Sequence, residues 1–212
     1  MDLLMVIGVV ALLVLLAAAL LPALAAAKRY SGPGCANNLL QIYLSTKIWS
    51  GDSGDKLPTQ LAATNDVMMK LIGSGKAYVL WQTMSNELST PKVLVCQADT
   101  KRHYATNFSA GFSDANISYF LSLDASFEKP QTIIAGDDNF FVDGKLVQSG
   151  ILNVSTNVAV EWTKERKQEK SGRPHSPGNI VLADGSVQPL NNAGLWQVFQ
   201  QTGSATNRFV IP

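Results

Sequence analysis

From Leu3 to Ala27 the chain carries no charged or strongly polar side chain, and beyond Arg29 that pattern gives way to short helical or alternating runs. A helix over the apolar run, at ~1.5 Å per residue, is long enough to cross a ~30 Å hydrocarbon layer. Its apolar residues cover every face, unlike the single stripe of a surface helix. "YSGPGC" then brings Gly32, Pro33 and Gly34 together, which predicts a kink or hinge, because proline removes a helix hydrogen bond and glycine adds backbone freedom. From Cys35 to about Trp49 the residues Leu39, Ile42, Tyr43, Thr46 and Trp49 recur at helical spacing on one face. "SGDSGDKLP" reads as a loop, with Pro58 stopping any helix.

The remainder is β-rich. "TNDVMMKLIGSGK" fits no single period, and "AYVLWQTMSNEL" reads as a short helix ending before Pro91. "KVLVC" is a compact β-type run. "ISYFLSLD" alternates Ile117, Tyr119, Leu121 and Leu123, the period of a half-buried strand. "QTIIAG" is a further strand, and "KLVQSGILNV" and "VAVEWT" are weaker strand patterns. In "NIVLADGSVQPL" two strand-like runs flank Asp184-Gly185, the residues a tight hairpin turn favours. "NAGLWQVFQQT" closes the pattern as a short helix with Leu195, Val198 and Phe199 on one side. The predicted fold class is therefore α+β: a long N-terminal hydrophobic helix, kinked near Gly32–Gly34, followed by an antiparallel β-sheet globular domain. Its parts are a transmembrane segment over 1–29, a second half of the helix over 30–50 and a globular β-rich domain over 51–212.

Charged residues make up 16% of the chain, against a usual ~25%. Once Asp2, Lys28 and Arg29 are set aside, fifteen basic residues balance fifteen acidic ones. A neutral remainder gives no electrostatic case for nucleic acid or an anionic membrane surface. The two cysteines, Cys35 and Cys96, form neither a zinc set nor a CxxC pair.

The apolar run has competing readings. A signal peptide is one: "PALAAAKRY" places small residues around Ala23 and Ala25. It would release a secreted or periplasmic binding domain. Against it, no Lys or Arg precedes the run, which exceeds the ~7–15 residues of a usual h-region. An ordinary anchor is another, but Lys28 and Arg29 would then favour a cytoplasmic C-terminal domain.

The run "LLMVIGVVALLVLLAAALLPALAAAKR", with Pro22 near its end, resembles the N-terminal segment of type IV pilins and type II secretion pseudopilins. "CANNLLQIYLSTKIWSGDSGDKLP", "NELSTPKVLVCQADTKR", "NISYFLSLDA" and "HSPGNIVLADGSVQPL" are similar to stretches of one bacterial branch of that family, the last to its C-terminal H…DG signature. The resemblance implies a filament subunit rather than an enzyme. Subunits would wait in the inner membrane and assemble into a periplasmic or extracellular helical homopolymer. The implied partners are other copies of the chain, a prepilin peptidase, and an inner-membrane assembly platform with its ATPase. In the matching register Met1 stands where the family carries a methylated first residue. Met5 stands where it carries a glutamate, leaving Asp2 as the nearby carboxylate. No basic leader ending in Gly precedes Met1 in the sequence.

The resemblance carries Cys35 and Cys96 together, which sets a disulfide ahead of two buried thiols. Outside the cytoplasm such a bridge is natural, and it would contribute roughly 3–4 kcal/mol. Some pseudopilins bind calcium, and "GDDNFFVDG" offers Asp137, Asp138, Asn139 and Asp143 as oxygen ligands. The spacing is not that of an EF-hand, and turn chemistry accounts for these residues better; no cofactor is expected. His175 and Asp184 suggest acid–base chemistry at first sight. With His103 the only other histidine and no nucleophile motif present, Asp184 reads as a turn residue and His175 as a hairpin hydrogen-bonding group. Lys164 to Arg173, five basic and two acidic residues, reads as an exposed loop before an anion site.

Overall fold

The computed structural model describes Val10, residues 32–163 and residues 178–212. The described N-terminal helix, α1, spans Gly32–Asp52. Pro33 lies near the N-terminal limit of its described residues. This corrects the expected architecture. Gly32–Gly34 are themselves helical and continuous with the rest of this 21-residue helix, with no break between them and the domain. That helix is studded with Asn37, Asn38, Gln41, Ser45 and Lys47. Among the described residues no helix is long and apolar enough to cross a membrane. The apolar run itself, Val10 apart, lies outside the described residues, as do Met1, Asp2, Met5 and Pro22. What is described is a mixed α/β arrangement of α1, several short helices and antiparallel sheet.

Short helices follow α1. Pro58 does not stop a helix; it starts α2 (Pro58–Ala63), where the Gln60 side chain accepts the Leu57 N–H at 3.0 Å. The unreadable stretch after Asn65 is α3 (Asp66–Gly73), because Asn65 Oδ1 accepts the Val67 and Met68 N–H groups, each at 3.1 Å. The predicted helix before Pro91 is present in two pieces, α4 (Tyr78–Thr83) and α5 (Ser85–Leu88). "KVLVC" is not a strand. Pro91–Leu94 form a 3₁₀ turn, with Thr90 Oγ1 accepting the Lys92 N–H.

The strands are β1 (Tyr119–Ser122), β2 (Ile133–Asp137), β3 (Phe140–Val142), β4 (Lys145–Leu146), β5 (Gly150–Ser155), β6 (Val160–Trp162), β7 (Gly178–Leu182), β8 (Val187–Leu190) and β9 (Thr206–Ile211). Six of them form one sheet in the order β5-β9-β1-β2-β7-β8, and β4-β3-β6 form a smaller one. Every pairing among them is antiparallel. The closing helix α6 (Asn192–Gln201) buries Leu195, Val198 and Phe199, as its spacing predicts.

The large sheet is covered on both faces. On one, α1 and the short helices enclose Leu39, Ile42, Trp81, Leu121, Val181 and Val210. On the other, α6 and the small sheet enclose Phe120, Phe140, Phe199 and Phe209. The Phe120 and Phe209 rings meet edge-on at 4.9 Å between centroids, and Phe199 lies 5.3 Å from Phe209. The strand period of two therefore sends Tyr119 and Leu121 into one core and Phe120 into the other. That is why β1 is buried throughout and not half-buried, as its alternation suggests.

Candidate functional site

The features that bear on function gather on α1, and they begin at its first turns. Cys35 and Cys96 form a disulfide, with Cα atoms 5.0 Å apart and both residues buried. One turn on, Asn38 Nδ2 donates to the Val95 carbonyl at 3.0 Å and to the Tyr119 hydroxyl at 3.2 Å. Further along, Ser45 Oγ donates to the Glu87 carbonyl and Trp49 Nε1 to the Thr83 carbonyl. Leu39, Ile42 and Thr46 are buried between these ties. The inner face of α1 is thus held by a covalent bond at its start and by polar bonds along its length, so the helix is a rigid part of the domain.

The opposite face is apolar too. Leu40, Leu44 and Ile48 are 40%, 48% and 57% exposed. Their spacing of four places them in one row, roughly half a turn from the buried face at ~100° per residue. A helix that needs only one apolar face to dock on its sheet has a second left over. The spacing of this row is in the sequence, but its exposure beside an already docked face is a property of the fold.

The predicted hairpin is present and leans on the same helix. In β7–β8 the Gly185 N–H donates to the Leu182 carbonyl at 3.0 Å. Asp184 Oδ1 accepts the Ser186 hydroxyl at 2.6 Å and its N–H at 2.8 Å. These bonds, the hydroxyl's first, hold the Asp184 carboxyl below its usual range. Asp184 is a turn residue, as its sequence context predicts. Gly185 has φ +87°, and a Cβ there would lie 2.9 Å from the Tyr43 ring of α1. Lys47 of α1 sits 4.0 Å over the ring of Phe127.

Asp137 and Asp138 of the acidic loop have protein partners. Asp137 Oδ2 accepts the Asn179 N–H at 2.7 Å and its Nδ2 at 3.0 Å. Asp138 pairs with Arg102 at 3.0 Å, and Asp143 turns the chain between β3 and β4 with φ +50°. Among the described residues no three His, Cys, Asp or Glu side chains are grouped to hold a metal ion. Arg102 reaches further, donating to the backbone carbonyls of Asp114 and Pro212, and borders a cleft of about 260 Å³ with Asp99, Lys101, Asp138 and Asn139. Asp114 accepts the N–H groups of Tyr78 and Ala77 at 2.6 and 3.1 Å, at the start of α4. Burial pushes its carboxyl up, against the lowering pull of those N–H groups and of Arg102. His103 is exposed. His175 and Lys164 to Arg173 lie outside the described residues.

Comparison with known proteins finds no matching family model, no matching curated relative and no matching solved structure.

Proposed function

We propose that this chain is a structural subunit of a type IV pilus-like or pseudopilus filament, held in the inner membrane by its apolar N-terminal segment before assembly. The observation that supports the reading best is the second apolar face of α1. Leu40, Leu44 and Ile48 follow in sequence from the uncharged run Leu3–Ala27 and stay exposed on the folded domain. Both the run and the row are apolar. Lipid and neighbouring copies would cover the segment in turn, and neighbouring copies would cover the row on α1. Fully burying a Leu or Ile is worth roughly 1.5–3 kcal/mol, so covering three half-exposed ones contributes about 3 kcal/mol per subunit contact. The contact is heterologous and repeats, which yields an open helical assembly. The implied partners are further copies of the chain, a prepilin peptidase, and an assembly platform with its ATPase. The chemistry is assembly and not catalysis.

Mass spectrometry of the N-terminal peptide from native cells tests the reading, together with microscopy of cells carrying Leu44→Glu. A methylated N-terminus on a chain that retains the apolar segment is expected. So is loss of filaments in the variant at unchanged subunit level. A mature chain beginning between Ala26 and Tyr30 would mean a released domain and would sink the proposal.

A further inference from the structure

The two edges of the six-stranded sheet are guarded differently. At one edge, β8 contains Pro189, which has no N–H to offer a further strand. At the other, β5 reads GILNVS, without charge or proline, and runs in unbroken register with β9 from Gly150↔Ile211 to Ser155↔Thr206. Natural edges are usually blunted by charge, proline, a bulge or a covering helix or loop. This one has none of the first three, and the C-terminal end of α3 approaches it at Gly150, where a Cβ would lie 3.5 Å from the Gly73 carbonyl oxygen.

The direction of its backbone groups follows from the ladder. The Leu123 N–H donates to the Arg208 carbonyl at 2.8 Å, and the Arg208 N–H to Asp124 Oδ2 at 2.8 Å, so the backbone of Arg208 faces β1. Alternation then turns Asn207, Phe209 and Ile211 toward β5, where they meet Val154, Leu152 and Gly150. The Thr156 N–H donating to the Ala205 carbonyl continues the same alternation. The N–H and C=O groups of Ile151, Asn153 and Ser155 therefore point away from the sheet. Among the described residues only the Ser155 carbonyl is met, by the Val158 N–H at 3.1 Å.

We propose that this edge pairs with the same edge of a second copy of the chain, antiparallel, about a two-fold axis through Asn153. The outward groups are symmetric about that residue. Asn153 faces its counterpart, and Ile151 and Ser155 face each other, each pair exchanging N–H···O bonds as in any antiparallel ladder. No charge is brought opposite a like charge, because β5 has none. Ile151, 38% exposed, and the half-buried Leu152 gain cover. The other described edges match it poorly, since β8 holds its proline and β4 and β6 are only two and three residues long. A self-complementary contact of this kind closes on itself. It joins subunits in pairs, or filaments side by side, and it does not depend on the filament reading, because the apolar N-terminal segment plays no part in it.

The test uses the full chain in detergent micelles, followed by sedimentation. Asn153 is exposed, so Asn153→Lys and Asn153→Asp are expected to keep the circular dichroism of the parent. Each alone places like charges opposite one another on the axis and should weaken association about five-fold, whereas an equal mixture of the two should restore it. Independently, Asn153→Cys should crosslink into dimers on a non-reducing gel, because paired Cα atoms about 5.5 Å apart suit a disulfide. Asn107→Cys, on an exposed loop, serves as the control and should not crosslink. Three results would overturn the proposal: a parent that sediments as single copies at every concentration, single-charge variants that associate like the parent, or equal crosslinking at 107 and 153. Association lost in Leu44→Glu but kept in the edge variants would also overturn it, while leaving the filament reading standing.

Discussion

Opening the Cys35–Cys96 bridge is the perturbation whose size the structure fixes best. The two cysteines are 61 positions apart, and a crosslink over such a loop removes about 4 kcal/mol of chain entropy from the unfolded state. Native contacts raise the stakes. The bridge fastens the first turns of α1 to the end of the Pro91–Leu94 turn, and Asn38 spans the same gap one turn later. A Cys35→Ser, Cys96→Ser double variant also leaves two hydroxyls where two buried sulfurs stood, and each unpaired hydroxyl adds about 1–3 kcal/mol. Urea unfolding of the full chain in detergent, parent against double variant, should show a loss of at least about 4 kcal/mol, a large part of a typical 5–15 kcal/mol domain stability. The dependence on urea should steepen, since an uncrosslinked chain exposes more surface when it unfolds. Cys35→Ala, Cys96→Ala should recover the hydroxyl share but not the entropic one. A loss below about 1 kcal/mol in both variants would refute the reasoning, because it would mean that α1 docks equally well without its covalent tie.

Two further outcomes follow from the turn and the buried carboxyl. Gly185→Ala should cost about 1–2 kcal/mol from its left-handed backbone alone and more from the encounter with Tyr43; a thermal melt unchanged within a degree would contradict the turn geometry. Asp114 has its carboxyl raised by burial. The folded state therefore holds that proton more tightly than the unfolded one, so its contribution is full below the unfolded pKa and is lost as pH rises through the folded value. The stability of the parent relative to Asp114→Asn should accordingly fall as pH rises from below the ordinary carboxyl value of 3.8 through the raised one, and a difference that stays constant as the pH is raised would remove the burial argument.

Much of the local structure was written in the order of residues. Asp184-Gly185 between two β-type runs specified the β7–β8 hairpin, because only a tight turn with positive φ at the glycine joins them. The spacing of Leu195, Val198 and Phe199 specified α6 and its buried side. The row Leu40, Leu44, Ile48 was equally legible, though its exposure was not. Spacing says which side chains share a face, and only packing says which face is used. The sequence also left the start of the described helix misplaced. Gly32–Gly34 promised a kink, whereas they are helical and continuous with the rest of α1.

What only the tertiary structure decided is non-local. "KVLVC" has the side chains of a strand, yet it lies as a 3₁₀ turn under α1, with Cys96 bonded to Cys35. β1 alternates like a half-buried strand and is buried on both sides, because a second core of phenylalanines forms behind it. β9 sits between β5 and β1, far from β5 in the chain. Turn chemistry and side-chain period act over a few residues and are readable one at a time. Which strands become neighbours, and which are left at an edge, depends on the burial of all the apolar faces together, and no short stretch of sequence contains that sum.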